Sequence, residues 1–101
     1  MNLYKISQTT NNNYDTYDSA IVAAESEDQA RYTEPSTGPR FDWKWDPEVQ
    51  NWWTLRVDGE KMYSDLDSGA WVHPSKVQVE FIGTASENIK AGIILASFNA
   101  G

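Results

Sequence analysis

Phe41-Asp-Trp-Lys-Trp-Asp-Pro-Glu-Val-Gln-Asn-Trp-Trp-Thr-Leu-Arg-Val57 holds four of the chain's five tryptophans, each set among charged or amide residues. Two readings suit this stretch. In one, Asp46 caps a helix with Pro47 at its first position, and Val49, Trp52 and Trp53 recur at i, i+3 and i+4. In the other, residues 41–45 and 52–57 are two strands of a hairpin, because cross-strand aromatic pairs stabilise such a ribbon. The hairpin is preferred, with a helical turn admitted in its loop, 46–51. It puts Phe41, Trp43 and Trp45 on one face, and Trp53, Leu55 and Val57 on one face of the partner strand. Alternation then turns Trp52 outward, alongside Asp42, Lys44, Thr54 and Arg56. Asp58-Gly59 predicts a further turn, leading to Lys61-Met-Tyr63.

Outward from this centre the chain reads as a plain frame. On the N-terminal side, residues 3–7 alternate with Tyr4 and Ile6 on one face, a half-buried strand. A polar loop ending in three asparagines follows, and 19–24 predicts the second strand of a hairpin. Ser26 and Gln29 form a capping box, with Glu27 and Asp28 where the helix dipole favours acids. Pro35 stops the helix after about two turns, at roughly Thr33, with Ala30 facing the core. On the C-terminal side, residues 65–69 predict a turn and His73-Pro74 a break. Residues 76–83 alternate with Val77, Val79 and Phe81 inward. Residues 93–98 are apolar on both sides, the pattern of a central strand or one covered on both faces.

These elements predict an α+β fold, a small, mostly antiparallel sheet of about four strands with one short helix. The chain is one domain, 1–101, with a frame (1–35 and 71–101) and a Trp-rich hairpin insertion (40–70). One two-turn helix cannot cover a sheet face, so most of the tryptophans are expected to complete the core.

Composition narrows the chemistry. The chain has 101 residues, 40% of them hydrophobic, and no run nears the roughly 18 apolar residues that span a bilayer. No membrane association is expected. Its first residues carry no export pattern, which predicts a cytoplasmic protein. It has no cysteine, which removes disulfides, thiolate chemistry and Cys-ligated metals. The net charge of −7 argues against direct nucleic-acid binding. Acids concentrate in 14–34 and 41–70, and the last third is balanced. His73 has no metal-ligand spacing around it, and its nearness in sequence to Ser64, Ser68 and Ser75 is not a triad. Asp65-x-Asp-x-Gly69 begins like a calcium loop, but Lys76 stands where the closing Glu would be. No phosphate-binding or dinucleotide glycine pattern is present. No enzyme activity, cofactor or metal is expected.

Aromatics interleaved with acids predict a partner surface, since Tyr and Trp are favoured interface anchors. The candidate partner-binding residues are Trp52, Trp43, Trp45, Asp42, Asp46 and Glu48, with Tyr14, Asp15, Tyr17 and Asp18.

The frame also carries a resemblance. Tyr14-Asp-Thr-Tyr-Asp-Ser-Ala-Ile-Val-Ala-Ala24, Trp71-Val-His-Pro-Ser75, Phe81-Ile-Gly83 and Gly92-Ile-Ile-Leu-Ala-Ser-Phe-Asn-Ala-Gly101 resemble a family of small phage- and prophage-encoded proteins. The likeness covers about half the chain, at both ends, and supplies context more than chemistry. It implies a protein acting in the host cytoplasm. The leading expectation is a non-catalytic binder of a host protein, inhibiting a nucleic-acid-binding defence factor of the CRISPR or restriction type. The alternatives are a binder of a nucleotide or sugar that stacks on an exposed tryptophan, or a structural or assembly protein of a virion. A homodimer through sheet edges would suit the apolar C-terminal strand.

Overall fold

A computed structural model describes residues 1–10, 16–38, 41–64 and 71–99, with the backbone alone for 98 and 99. The alternation in the first strand sets up the frame. β1 (Asn2–Ser7) pairs antiparallel with β2 (Thr16–Ala24), from Asn2 opposite Ala24 to Ser7 opposite Ser19. That register stands Tyr4 across from Val22 and Ile6 across from Ala20, and all four are buried. The expected hairpin and its inward face are both present.

Ser26 caps α1 (Glu27–Arg31), its hydroxyl accepting from the Gln29 amide at 3.1 Å. The Gln29 side chain reaches back to the amide of Glu25, one residue earlier than a capping box requires. Ala30 is the helix's buried residue. Arg31 ties the helix down by donating to the main-chain oxygens of Pro74, at 3.2 Å, and Val77.

The middle of the chain forms a sheet of its own rather than a hairpin alone. β3 (Lys44–Asp46), β4 (Asn51–Leu55) and β5 (Lys61–Tyr63) pair in that order. The Asp58-Gly59 turn joins the last two, with Gly59 at φ 87°, a conformation that glycine adopts without a Cβ clash. The larger sheet has the order β6-β1-β2-β7, completed by β6 (Gln78–Thr84) and β7 (Gly92–Asn99). A 3₁₀ turn, Pro74–Lys76, leads into β6.

Two expectations for the C-terminal strands are corrected. β7 is an edge strand, not a central one, and Leu95 on it is 68% exposed. In β6, Val77 before the strand is buried and Val79 packs on the core, but Phe81 is 59% exposed. Bulges account for much of this. Against β1 the register slips between Leu3 opposite Gly83 and Tyr4 opposite Phe81, which leaves Ile82 unmatched. Against β2 it slips between Ile21 opposite Leu95 and Val22 opposite Ile93, which leaves Ile94 unmatched. An extra residue bends the strand and ends simple alternation, and such bulges gather at sheet edges.

One hydrophobic cluster runs through both sheets. Tyr4, Ile6 and Val22 from the larger sheet meet Ala30 of the helix, Trp52 of β4, and Trp71, Val72 and Val77 of the connection before β6. Trp52 and Trp71 complete the core, with Trp43 and Trp45 packed against it, as the shortness of the helix requires.

Candidate functional site

The Asp46–Asn51 turn decides which tryptophans a partner can reach. The Asp46 carboxylate accepts from the amides of Glu48 (3.0 Å) and Val49 (3.3 Å), and its carbonyl accepts from Gln50 at 2.8 Å. Gln50 closes the turn at φ 60°. The capped turn leaves four residues between the strands and sets Asp46 opposite Asn51, Trp45 opposite Trp52 and Lys44 opposite Trp53. Partners directly opposite share a face. With Trp45 inward, Trp52 must follow it and Trp53 must turn away.

Trp52 is therefore 0% exposed, and its indole N–H donates to the Val72 carbonyl at 3.0 Å. The outward orientation expected for Trp52 is corrected. Alternation alone does not say which phase is inward, and the turn length does. Trp53 takes the outer face of the ribbon, with the Lys61 ammonium 4.4 Å and the Lys44 ammonium 5.7 Å from its ring centroid. Its π surface already has cations from its own chain.

The other candidates scatter. Trp45 is half-buried, edge-on to Trp52 at 5.2 Å and to His73 at 4.8 Å. His73 Nδ1 accepts from the Ser75 amide, so Nε2 carries the proton and donates to Gln50 Oε1 at 2.8 Å. The histidine holds loops together. Asp46 caps the turn and also accepts from the Tyr63 hydroxyl at 3.2 Å. Partial burial pushes its carboxyl up, but the bonds from Val49, Glu48 and Tyr63 and the charge of Lys61 outweigh it and hold the carboxyl low. Asp46→Ala is expected to lower the melting temperature clearly more than Glu48→Ala, which removes only an exposed side chain. The stabilising effect of Asp46 is present above the ordinary aspartate pKa and lost as pH falls through its depressed value. The gap between the two variants in thermal melts should narrow in acid. Tyr17 is half-buried against the core, Asp18 is exposed at a bulge, and Tyr14 and Asp15 lie outside the described residues.

Asp42 and Trp43 do come together, in a groove of about 550 Å³ beside the helix. Asp28 lines it from α1, Tyr32 from the helix's C-cap, Glu34 and Thr37 from the loop that follows, and Asp42 and Trp43 from the approach to β3. Thr37 fixes the two loops together, its hydroxyl accepting from the Trp43 amide at 3.1 Å. The aromatic wall is Trp43, packed on the core, with the half-exposed Tyr32. Asp42 sits 4.0 Å from Lys44, a loose and exposed contact of the kind worth at most about 1 kcal/mol. Among the described residues, no lysine or arginine lines the groove.

Glu34 is the residue that sequence reasoning missed. It is 4% exposed, and its carboxylate accepts from the Ser36 amide at 2.7 Å and the Ser36 hydroxyl at 2.6–2.7 Å. Burial pushes its carboxyl above the ordinary glutamate value, against the two Ser36 bonds. A folded state that holds this proton more tightly than the unfolded chain gains stability in acid and loses it as pH rises through the raised value. Glu34→Gln removes that loss. Its melting temperature, relative to the parent, is expected to move upward as pH rises from below the ordinary glutamate value to neutrality; a difference constant with pH would refute this. Glu34 next to Pro35 reads in sequence only as a loop, and Asp28 only as a dipole partner, so neither announced the groove.

No protein-family model, curated protein or solved structure matches the chain. The groove's own chemistry therefore carries the functional reading. Among the described residues no three His, Cys, Asp or Glu side chains gather where they could hold a metal ion. Asp28, Glu34 and Asp42 thus surround the space rather than converge on a point. That arrangement suits an extended organic cation, whose apolar stem lies on an aromatic wall while its charge meets carboxylates. No helix of the described residues is long and apolar enough to cross a membrane.

Proposed function

We propose that the chain is a non-catalytic protein-binding module whose acid-lined groove takes a basic segment of a host protein. The carrying observation is the placement of Asp28, Glu34 and Asp42 around a groove walled by Trp43 and Tyr32 and lined, among the described residues, by no lysine or arginine. A lysine or arginine entering it would lay its aliphatic stem on the indole and bring its charge to the acids. Proteins that grip nucleic acid present such side chains in rows, to neutralise phosphates. A carboxylate-lined groove on a body of net charge −7 competes for the same side chains. The resemblance of the frame to phage-encoded proteins supports, as the partner, a host defence factor that binds nucleic acid, of the CRISPR or restriction type, met in the host cytoplasm.

The test is capture from host lysate at low and moderate salt, with the parent chain and with the Asp28→Lys/Asp42→Lys double variant side by side. The reading requires a partner held by the parent and lost by the variant, and release of nucleic acid from that partner as the chain is added. A partner held equally by both, or none, rejects it.

A further inference from the structure

Sheet edges expose unpaired N–H and C=O groups, and proteins blunt them with short strands, charges, prolines or bulges. The two sheets here have four edges, and three are visibly protected. β3 and β5 are three residues each and carry Lys44, Asp46 and Lys61. β6 carries Glu80 near its middle. β7 differs. It is eight residues long, Gly-Ile-Ile-Leu-Ala-Ser-Phe-Asn, with no charged residue and no proline. Its bulge leaves Ile94 exposed, and Leu95 beside it is the more exposed of the two. No described strand pairs with its free side.

We propose that β7 is the interface of a homodimer, in which the β7 edges of two copies pair antiparallel about a two-fold axis and join the four-stranded sheets into one of eight. An apolar edge without charge gives a basic partner nothing to pair with and matches a second copy of itself. Two bodies of net charge −7 repel wherever acids face each other, and β7 is the long edge where they can meet without opposing charges. An antiparallel strand pair is self-complementary under a two-fold axis, as a symmetric dimer requires. Eight residues span about 26 Å, and the run from Leu95 onward lies beyond the bulge at Ile94. Leu95 lies opposite Ile21 on the sheet face turned away from the core, near the middle of β7. In the dimer the two Leu95 side chains lie close to the axis and cover each other.

Sedimentation equilibrium of the full chain over a concentration series tests this. The parent is expected to be dimeric. Leu95→Asp sets two like charges beside the axis and should weaken association by at least about tenfold. Leu95→Lys should do the same with the opposite sign of charge, which separates an edge effect from a general effect of added negative charge. Both change an exposed side chain, so thermal melts should show folded protein. A parent that sediments as a monomer at every concentration overturns the proposal, as does a folded Leu95→Asp that stays dimeric. Neither result bears on the groove, whose partner is read separately by capture.

Discussion

Trp52→Ala is expected to cost about 3–5 kcal/mol of folding stability, the range for removing a large aromatic from a packed interior. Trp52 stands where the two sheets meet, fully buried, in contact with Trp45 and bonded to the Val72 carbonyl. Truncation opens a cavity and leaves that carbonyl without its donor. Against a total stability of about 5–15 kcal/mol for a domain, this loss brings the chain near unfolding. Trp52→Phe keeps most of the ring volume and should cost less, with about 1–3 kcal/mol from the orphaned carbonyl alone. Trp53→Ala, one residue along and on the other face, removes a ring outside the core that faces the Lys44 and Lys61 ammonium groups, and should cost far less. Urea denaturation of the three variants reads out the ranking directly. If Trp53→Ala proved the more damaging, the register of the ribbon would be wrong.

Reversing both exposed acids of the groove, Asp28→Lys with Asp42→Lys, is expected to weaken partner binding by at least about 100-fold, or about 2.7 kcal/mol. The size follows from replacing two attractive contacts by two repulsive ones around a cationic side chain. Both positions are solvent-facing, and Asp42 loses only its loose contact with Lys44, so the fold should persist. Titration calorimetry with the captured partner, alongside thermal melts, separates lost binding from lost folding. Parent affinity should also fall as salt rises, because the exposed acids are screened. An affinity that ignores both the reversal and the salt would place the interface elsewhere, with the ribbon face around Trp53 next to be tested.

Much of the frame is legible in the amino-acid order alone. Tyr4 and Ile6 announce a strand with one buried side, and Ser26 and Gln29 announce a helix start. Asp58-Gly59 announces the turn that brings β5 onto β4. The site is less legible. Its walls come from residues as far apart as Ala23 and Gly92, with a Thr37 hydroxyl fastening Trp43 to the loop after the helix, and nothing in local periodicity links them. Glu34 follows the same rule, since a buried carboxylate served by the amide and hydroxyl of Ser36 has the sequence pattern of an ordinary exposed loop.

The amino-acid order by itself favoured an aromatic ribbon over a helix for residues 41–57 and determined that a short helix would need tryptophans to finish the core. It also determined the excess of acids and the absence of thiol chemistry. Three matters were left to tertiary structure. Trp52 rather than Trp53 went inward because a four-residue turn capped by Asp46 set the register, and a shift of one residue exchanges the faces. β7 became an edge because an apolar run on both sides looks the same whether neighbours cover it or a bulge exposes it. The groove arose because Asp28, Glu34, Asp42 and Trp43 approach only when helix, loop and ribbon pack on one core. Periodicity reports which side chains share a face; which face is buried depends on what the rest of the chain brings against it.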